Sequence, residues 1–564
     1  MFHVVALVAI GLATTLPVAL WGSNNGDTVH NVWARYFAAQ FWSGDLYPRW
    51  LMDMNSGLGS PTFFFYAPIP YFVTSLIYPL VPNDPFGWLP VGLCASVASL
   101  ASGLAAYAWL RHSCRPAPAF IAAALYIILP YHLATDHFLR FAFGEYWAFV
   151  WMPLVLLFTR RVTDGRRYAV AGLAVSYALL IMTHLPTTLV FSLVPCGLAL
   201  ASALVNARPV ATLGRFTLGM ALGIGIAAVY LLPAMTTQDN ASLSVMTDGN
   251  GMYSNHFLFS TPERLSVFSD AFYEYAVAFA RSMQTTLLTT TAIAACGVAL
   301  AFLDTNESRR REDIFWLLTA VVALFMMSAA SKPIWQWVPI LQKIQFPWRI
   351  GTVLTVAATA LVAHGIDALR KPVRWSSVSL LVALLGIVGY VGLETAKSAY
   401  WNVARGPAGP LERRQVIDYG EYRPRQVPRH VFTVDRMRNM GENLPAASVV
   451  SGDGTVVVEE WRPRRITLTV EAATDVLIDI KQLYYAGWVA KLRDGSQSFD
   501  VSPSTDAGLV SFGAPRGNHK VILTLDRGLE ERAGQIVSVL SIGILVFWSF
   551  RRHASRQPAP SARI

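Results

Sequence analysis

Charge is scarce in this sequence. Only 14% of its 564 residues are Asp, Glu, Lys or Arg, against about 25% in soluble globular proteins. With 54% hydrophobic residues, that shortage excludes a soluble enzyme and points to a chain that crosses a membrane many times. Cysteine is also sparse. Cys94, Cys114, Cys196 and Cys296 have no metal-ligand spacing, and none lies in a segment expected on the outer face, so neither a zinc site nor a disulfide framework is expected. The chain has no GxGxxG, P-loop, HExxH, CxxC or GxSxG pattern, which leaves nucleotide binding and zinc hydrolysis without support. An Asp-x-Asp pair is missing from the outer loops. That argues against a sugar-nucleotide donor and fits one delivered on a lipid. No segment repeats another at a fixed period.

What is present is ordered by charge. The net charge is +10, and the basic residues gather in short loops: Arg111–Arg115, Arg160–Arg167, Arg208–Arg215, Arg309–Arg311, Arg370–Arg374 and the tail from Arg551. This is positive-inside placement rather than a nucleic-acid surface. If those loops share the cytoplasmic side, spans fall near 3–21, 88–110, 119–134, 146–160, 168–183, 187–205, 216–233, 285–303, 314–330, 350–369, 375–393 and 535–550. That makes about a dozen spans of roughly the required length, with both termini inside. The N-terminal run lacks a basic n-region and a small-residue cleavage site, so it reads as a retained signal anchor. Phe63–Val81 is apolar and long, but Pro68, Pro70 and Pro79 interrupt it. It reads as interfacial or re-entrant helices on the outer face.

Three blocks follow. Residues 1–394 form the membrane domain, with a long first outer loop at 22–87. Residues 395–530 hold an irregular connector and a β-rich, sandwich-like outer domain. Residues 531–564 give the last span and a basic tail. The strand signals are Thr455–Trp461, Ile466–Val470, Val476–Lys481, Trp488–Leu492 and Val521–Asp526, separated by turns such as Asp453-Gly454 and Asp494-Gly495.

Candidate chemistry gathers on the outer side. Asp27 stands where the first span ends and an amphipathic helix begins, with Val29, Trp33, Tyr36, Phe37 and Phe41 on one face and Gly44 as its stop. It fits an N-cap, and equally an acid, base or metal ligand with His30 one turn away. Asp136, Arg140 and Glu145 occupy a short outer loop. Asp136 and Arg140 suit a structural i,i+4 ion pair, or an acid beside an anion-binding guanidinium. Lys343 and Arg349 flank Gln345-Phe-Pro-Trp348, either as a headgroup anchor or as a site for a lipid phosphate. His184, in Thr183-His184-Leu185-Pro186, marks a tight outer turn.

A long first outer loop with an acid just after span one, and a second acid between spans three and four, resembles the GT-C superfamily of integral-membrane glycosyltransferases. Several stretches are similar to a bacterial family labelled 6-pyruvoyl-tetrahydropterin-synthase-related membrane proteins: Gly44-Asp-Leu-Tyr47-Pro-Arg49-Trp50, Gly57-x-Gly59-x-Pro61, Phe65-Tyr66-x-Pro68-x-Pro70-Tyr71, Arg140-x-x-x-x-Glu145, Gln345-Phe-Pro-Trp-Arg349, Glu421-Tyr422-x-Pro424 and Tyr485-x-Gly487-Trp488. No pterin chemistry is visible in the chain.

The resemblance implies an inverting sugar transfer from a polyprenyl-phosphate donor to an envelope glycan, lipid or protein at the outer face of the cytoplasmic membrane. Asp27 would deprotonate the acceptor or bind a divalent cation (Mg or Mn), and Glu145 or Asp136 would be the second acid. Arg140, Arg349 and Lys343 would hold the donor phosphate, while His30, Tyr47, Arg49 and His184 would contact substrate. Many GT-C enzymes pair acids in the first loop, whereas Thr28 follows Asp27 here, so metal dependence stays open. A carrier or flippase for lipid-linked glycans, or a non-catalytic assembly subunit, are the alternatives.

Overall fold

In the computed structural model the described residues are 1–21, 29–81, 84, 87–247, 252–260, 270–302, 307–369, 386–387, 389–390, 392–393, 397 and 417–554. Helices dominate up to Ala368, two β-sheets follow, and the helix Leu529–Ala554 closes the described chain. Among the described residues, eight helical segments are long and apolar enough to cross a membrane.

The expected count of twelve spans is not established. Phe143–Thr163 and Glu307–Met327 form helices of 21 residues but carry several charges, and Ala169–Ile181 has only 13 residues. Most of the expected 375–393 span lies outside the described residues. The expected 216–233 span is broken at Ala227 into Pro209–Ile226 and Ala228–Thr236. The backbone N–H of Val229 beside that break donates to Ser538 Oγ at 2.8 Å. The last helix thus supplies an acceptor that the helix break takes away.

The proline-interrupted stretch divides into Thr62–Phe65 and Ile69–Ile77, with Tyr78–Leu80 as a short 3-10 turn. The nine residues of Ile69–Ile77 extend about 14 Å, too short to cross a bilayer.

Ion pairs, part-buried, tie the basic loops together at one end of the bundle. Arg115 and Arg309 both grip Asp367 at 2.6 Å, and Arg160 meets Glu312 at 2.6 Å. Asn206 donates to the carbonyl of Thr163 at 3.1 Å, which adds the fourth loop. Asp367 is near the end of Gly351–Ala368, a helix of 18 residues and therefore about 27 Å long. Arg349 stands just before its start, so the two arginine-rich regions face opposite ends of the bundle.

The β-domain is a two-sheet sandwich, antiparallel throughout, with strands β1 Ala447–Ser451, β2 Gly454–Arg462, β3 Arg465–Ala472, β4 Val476–Leu483, β5 Trp488–Leu492, β6 Ser498–Phe499, β7 Val501–Pro503, β8 Leu509–Ala514 and β9 Gly517–Leu525. One sheet runs β1-β4-β8-β7 and the other β2-β3-β9-β5-β6. Alternation supplies the core: Ile466, Leu468 and Val470 of β3 lie with Ile478 and Ile480 of β4 and Phe512 of β8 in one buried cluster.

That cluster continues into the first outer loop through Trp50, Phe63 and Tyr71. Trp50 donates its indole N–H to Gln482 at 2.7 Å, and Leu483 N–H reaches the carbonyl of Leu58 at 2.6 Å. Gly59 makes this contact possible. Its φ is +86°, and a Cβ there would stand 2.4 Å from the Trp50 ring.

Candidate functional site

A cavity of about 1940 Å³ opens opposite the paired basic loops. Its lining comes from helices, the 238–247 segment, the 255–260 segment, the turn before Gly351 and the 419–429 segment. The helices contribute apolar side chains such as Ile181, Leu189, Ile224 and Leu231, whereas Gln238, Ser242, Ser244 and Asn255 give a polar wall.

Arg140 and Arg349 enter from two elements far apart in sequence. Arg140 ends the π-helix Tyr131–Leu139, and Arg349 belongs to the 3-10 turn Pro347–Ile350. Both approach the same atom. Glu145 Oε2 lies 3.0 Å from Arg140 Nη1 and 3.4 Å from Arg349 Nε. The other oxygen, Oε1, accepts the Tyr131 hydroxyl at 2.7 Å. Arg140 also reaches Asp136 at 2.8 Å.

Packing holds this cluster in place. Asp136 and Glu145 are buried, at 0% and 1% exposure, and two buried carboxylates persist only with positive partners. Phe346 and Trp348 form a parallel ring pair, 4.9 Å between centroids and 6° apart. The Arg349 guanidinium lies over Phe346 at 4.8 Å and that of Arg140 over Trp348 at 4.4 Å. Rings on one face of each guanidinium leave its edge for hydrogen bonding. A Cβ on Gly351 would meet the Tyr131 ring at 2.7 Å, so the glycine lets that tyrosine reach Glu145.

The backbone is strained beside both arginines. Phe141 has φ +50° and Gln345 has φ +65°, in the left-handed region that costs a side-chain-bearing residue about 1–2 kcal/mol. Such strain is retained where surrounding structure fixes it, commonly at functional sites.

The remaining sequence candidates divide into those that line the cavity and those that do not. His184 lines it. Burial pushes its imidazole down to about 3 despite nearby Glu145, so the ring is neutral. Its Nδ1 accepts the Thr187 N–H at 3.3 Å, which assigns the proton to Nε2. His30 also lines the cavity, with Nδ1 2.6 Å from the Tyr71 hydroxyl. Lys343 lines it and donates to Gln238 Oε1 at 3.1 Å.

Tyr47 and Arg49 are elsewhere. Arg49 is 2% exposed, pairs with Glu531 at 3.1 Å and donates to the carbonyl of Val229 at 2.5 Å, with its guanidinium 3.9 Å above the Tyr47 ring. Arg464 reaches the same Glu531 at 2.9 Å. Those contacts fasten the 29–81 segment, the sandwich and the last helix together, and neither Tyr47 nor Arg49 is among the residues lining the cavity.

Asp27 lies outside the described residues. Among the described residues, no group of three or more His, Cys, Asp or Glu is placed to hold a metal ion. Glu145 and Asp136 already bind arginines, so they make a poor donor set for a divalent cation.

No role follows from the sequence for Tyr131 beneath Glu145, for the stacking of Phe346 on Trp348, or for the lining residues Arg423, Arg425 and Arg429 on the segment entering the β-domain. Asp418, just before that segment, is buried and accepts hydrogen bonds from Ser60, from Thr62 at 2.5 Å and from the Tyr419 N–H at 2.9 Å. Burial pushes its carboxyl up to about 6.

A bundle with eight membrane-length helices among the described residues, a β-sandwich packed on the 29–81 segment and a cavity lined by paired arginines defines a polytopic membrane protein. A family model described as "6-pyruvoyl-tetrahydropterin synthase related domain; membrane protein" matches residues 63–401, and the chain belongs to that family. No curated protein matches the sequence. Among the solved structures that are similar in part, two illustrate the likeness. One is the arabinofuranosyltransferase AftD from Mycobacteria, at 15% identity and a TM-score of 0.47, covering 71% of this chain and 27% of that one. The other is the Archaeoglobus fulgidus oligosaccharyltransferase, at 11% identity and a TM-score of 0.43, covering 72% of this chain and 56% of that one.

Proposed function

We propose that the protein transfers a sugar from a polyprenyl-phosphate donor to an acceptor that enters the cavity. The observation that carries this reading is the convergence of Arg140 and Arg349 on Glu145 Oε2, in a cavity lined by both apolar and polar side chains. An amphiphilic donor fits that lining, with its chain against apolar residues such as Ile181, Leu189, Ile224 and Leu231 and its phosphate at the guanidinium edges.

In the transfer, an acceptor hydroxyl oxygen bonds to the anomeric carbon as the bond from that carbon to the phosphate oxygen breaks. The electron pair leaves with the phosphate, and the acceptor proton passes to a base. A phosphodiester with one negative charge becomes a monoester that carries more. Arginines fixed before the reaction stabilise that added charge in the transition state rather than in the substrate. Arg140 and Arg349 take this part. Glu145 holds them in register and is too fully engaged to act as the base. His184, neutral and donating from Nε2, hydrogen-bonds an oxygen of the phosphate or the sugar. Asp27 is the proposed base on the strength of the sequence, three residues before His30, which lines the cavity. No step here uses a metal. The outer face of the cytoplasmic membrane is the proposed location, with the basic loops inside.

The test is incubation of the purified protein in lipid nanodiscs with a panel of pentosyl and hexosyl polyprenyl phosphates, following release of polyprenyl phosphate. Release by the wild type that is lost in a folded Asp27→Asn protein supports the transferase. Donor that moves between leaflets without being consumed would favour a carrier instead.

A further inference from the structure

The cavity has more positive charge than the donor site uses. Its lining includes Arg140, Lys343, Arg349, Arg423, Arg425 and Arg429, against the carboxylates Glu145, Asp239 and Glu421. Glu145 is committed to Arg140 and Arg349. Among the described lining residues, three arginines lie within seven residues of chain, 423 to 429, and one of them, Arg425, stands 3.8 Å from Asp239.

The segment that carries them is built into the wall. Ala241 and Pro424 form an antiparallel bridge. Ser242 N–H donates to the carbonyl of Arg423 at 3.0 Å, and Arg425 N–H to that of Asn240 at 3.0 Å. This fixes the backbone on both sides of Pro424 against the 238–247 segment. The side chains are less committed. Arg423 Nη1 donates to the carbonyl of Val427. Arg425 sits 3.8 Å from Asp239, with both side chains largely exposed, and reaches the Asp239 carbonyl only at 3.5 Å. An exposed pair of this kind contributes little. Arg429 is exposed. Burial first, and Arg429 second, push the Arg423 guanidinium down.

The neighbours of this basic edge include polar side chains. Gln238, Ser242, Ser244 and Asn255 offer hydroxyls and amides to the cavity, interleaved with the apolar Leu243, Val245 and Met246. A glycan finds hydrogen-bonding partners along this wall, and apolar side chains against which sugar rings can lie.

We propose that the acceptor is a glycan bearing negative charge, as uronate or phosphate, and that Arg423, Arg425 and Arg429 hold its anionic groups at the polar edge of the cavity. The inference rests on the transferase reading. It adds an acceptor subsite distinct from the pair that holds the donor phosphate. Planar guanidiniums suit both carboxylate and phosphate oxygens.

The test is binding of a defined oligogalacturonate, with a dextran fragment of equal length as neutral control, to the full-length protein in phosphatidylcholine nanodiscs. The wild type should bind the acidic oligomer, more weakly as salt rises, and bind dextran poorly. A combined Arg423→Ala, Arg425→Ala and Arg429→Ala protein should bind the acidic oligomer at least about tenfold more weakly, which corresponds to about 1.4 kcal/mol. A charge-matched control on exposed β-domain arginines, Arg462→Ala, Arg493→Ala and Arg516→Ala, should bind within about twofold of wild type.

Equal binding by the wild type and the Arg423/Arg425/Arg429 variant, or no preference for the acidic oligomer, overturns the inference. Loss of oligogalacturonate binding when phosphatidylglycerol is added to the disc assigns the edge to lipid headgroups and also overturns it. The donor assay separates the two ideas. Donor release without acidic-glycan binding removes only this inference. Acidic-glycan binding at the three arginines with no donor consumed from a complete panel removes the transferase.

Discussion

Arg140 and Arg349 are separated by more than two hundred residues in sequence, yet meet on one oxygen of Glu145, at 3.0 and 3.4 Å. Two guanidiniums repel each other unless a carboxylate sits between them, and the buried Glu145 supplies it. The carboxylate positions the arginines. Its other oxygen accepts the Tyr131 hydroxyl at 2.7 Å.

Replacing Glu145 with Gln should therefore act on stability and chemistry together. Removing one member of a buried charged cluster costs about 3 kcal/mol, because the two guanidiniums lose their common partner. Thermal unfolding followed by tryptophan fluorescence should show a clear fall in midpoint. Donor turnover should fall more steeply than the folded fraction.

Trp348→Ala removes the ring beneath Arg140. A cation–π contact contributes about 1–2 kcal/mol when shielded from water, so the donor should bind roughly tenfold more weakly. Trp348→Phe keeps an aromatic face and should recover most of the loss, which separates the cation–π effect from simple unpacking.

Arg49 tests the reassignment away from substrate. Its pairing with Glu531 joins the first outer loop to the last helix, and loss of a partner from so buried a pair should destabilise by about 3 kcal/mol. For Arg49→Ala, the unfolding midpoint should drop, while KM for donor in the surviving folded protein stays near wild type. A large KM change with unaltered stability would return Arg49 to the substrate site.

Asp418 makes stability depend on pH. Burial raises its carboxyl in the folded protein to about 6, above the unfolded value near 3.9. Between those values the folded state binds more protons, so this group's contribution declines as pH rises from about 4 to 6 and is constant above. The full swing is roughly 3 kcal/mol. The difference in unfolding free energy between wild type and Asp418→Asn should change across that window and stay level from pH 7 to 8.

The sequence made some of this readable and hid the rest for identifiable reasons. Arg140, Glu145 and Arg349 stand out because charge is rare among apolar runs, so each draws attention without any knowledge of its neighbours. That they share an oxygen is a property of helix packing, which spacing along the chain does not encode. Tyr47 and Arg49 belong to a recognisable motif, and the motif turns out to fasten three elements rather than line the cavity. Strands β2, β3, β4, β5 and β9 follow alternating or β-branched runs. Strand β8, Leu509–Ala514, is buried at five of its six positions and has no alternation to detect. The 423–429 segment reads as an irregular connector because its order comes from a bridge to Ala241, far away in sequence. Asp418 is hidden for the same reason, since its partners Ser60 and Thr62 lie in the first outer loop.

The central claim is that Arg140 and Arg349 hold the phosphate of a lipid-linked substrate. The most direct test is displacement of a fluorescent polyprenyl phosphate from the protein in nanodiscs, comparing wild type with Arg349→Ala and Arg140→Ala proteins whose folding is checked by thermal unfolding. Each substitution should weaken binding by at least about tenfold, or about 1.4 kcal/mol, with unphosphorylated polyprenol competing poorly against the probe. Unchanged binding in both folded variants, or equal competition by polyprenol, would contradict the claim.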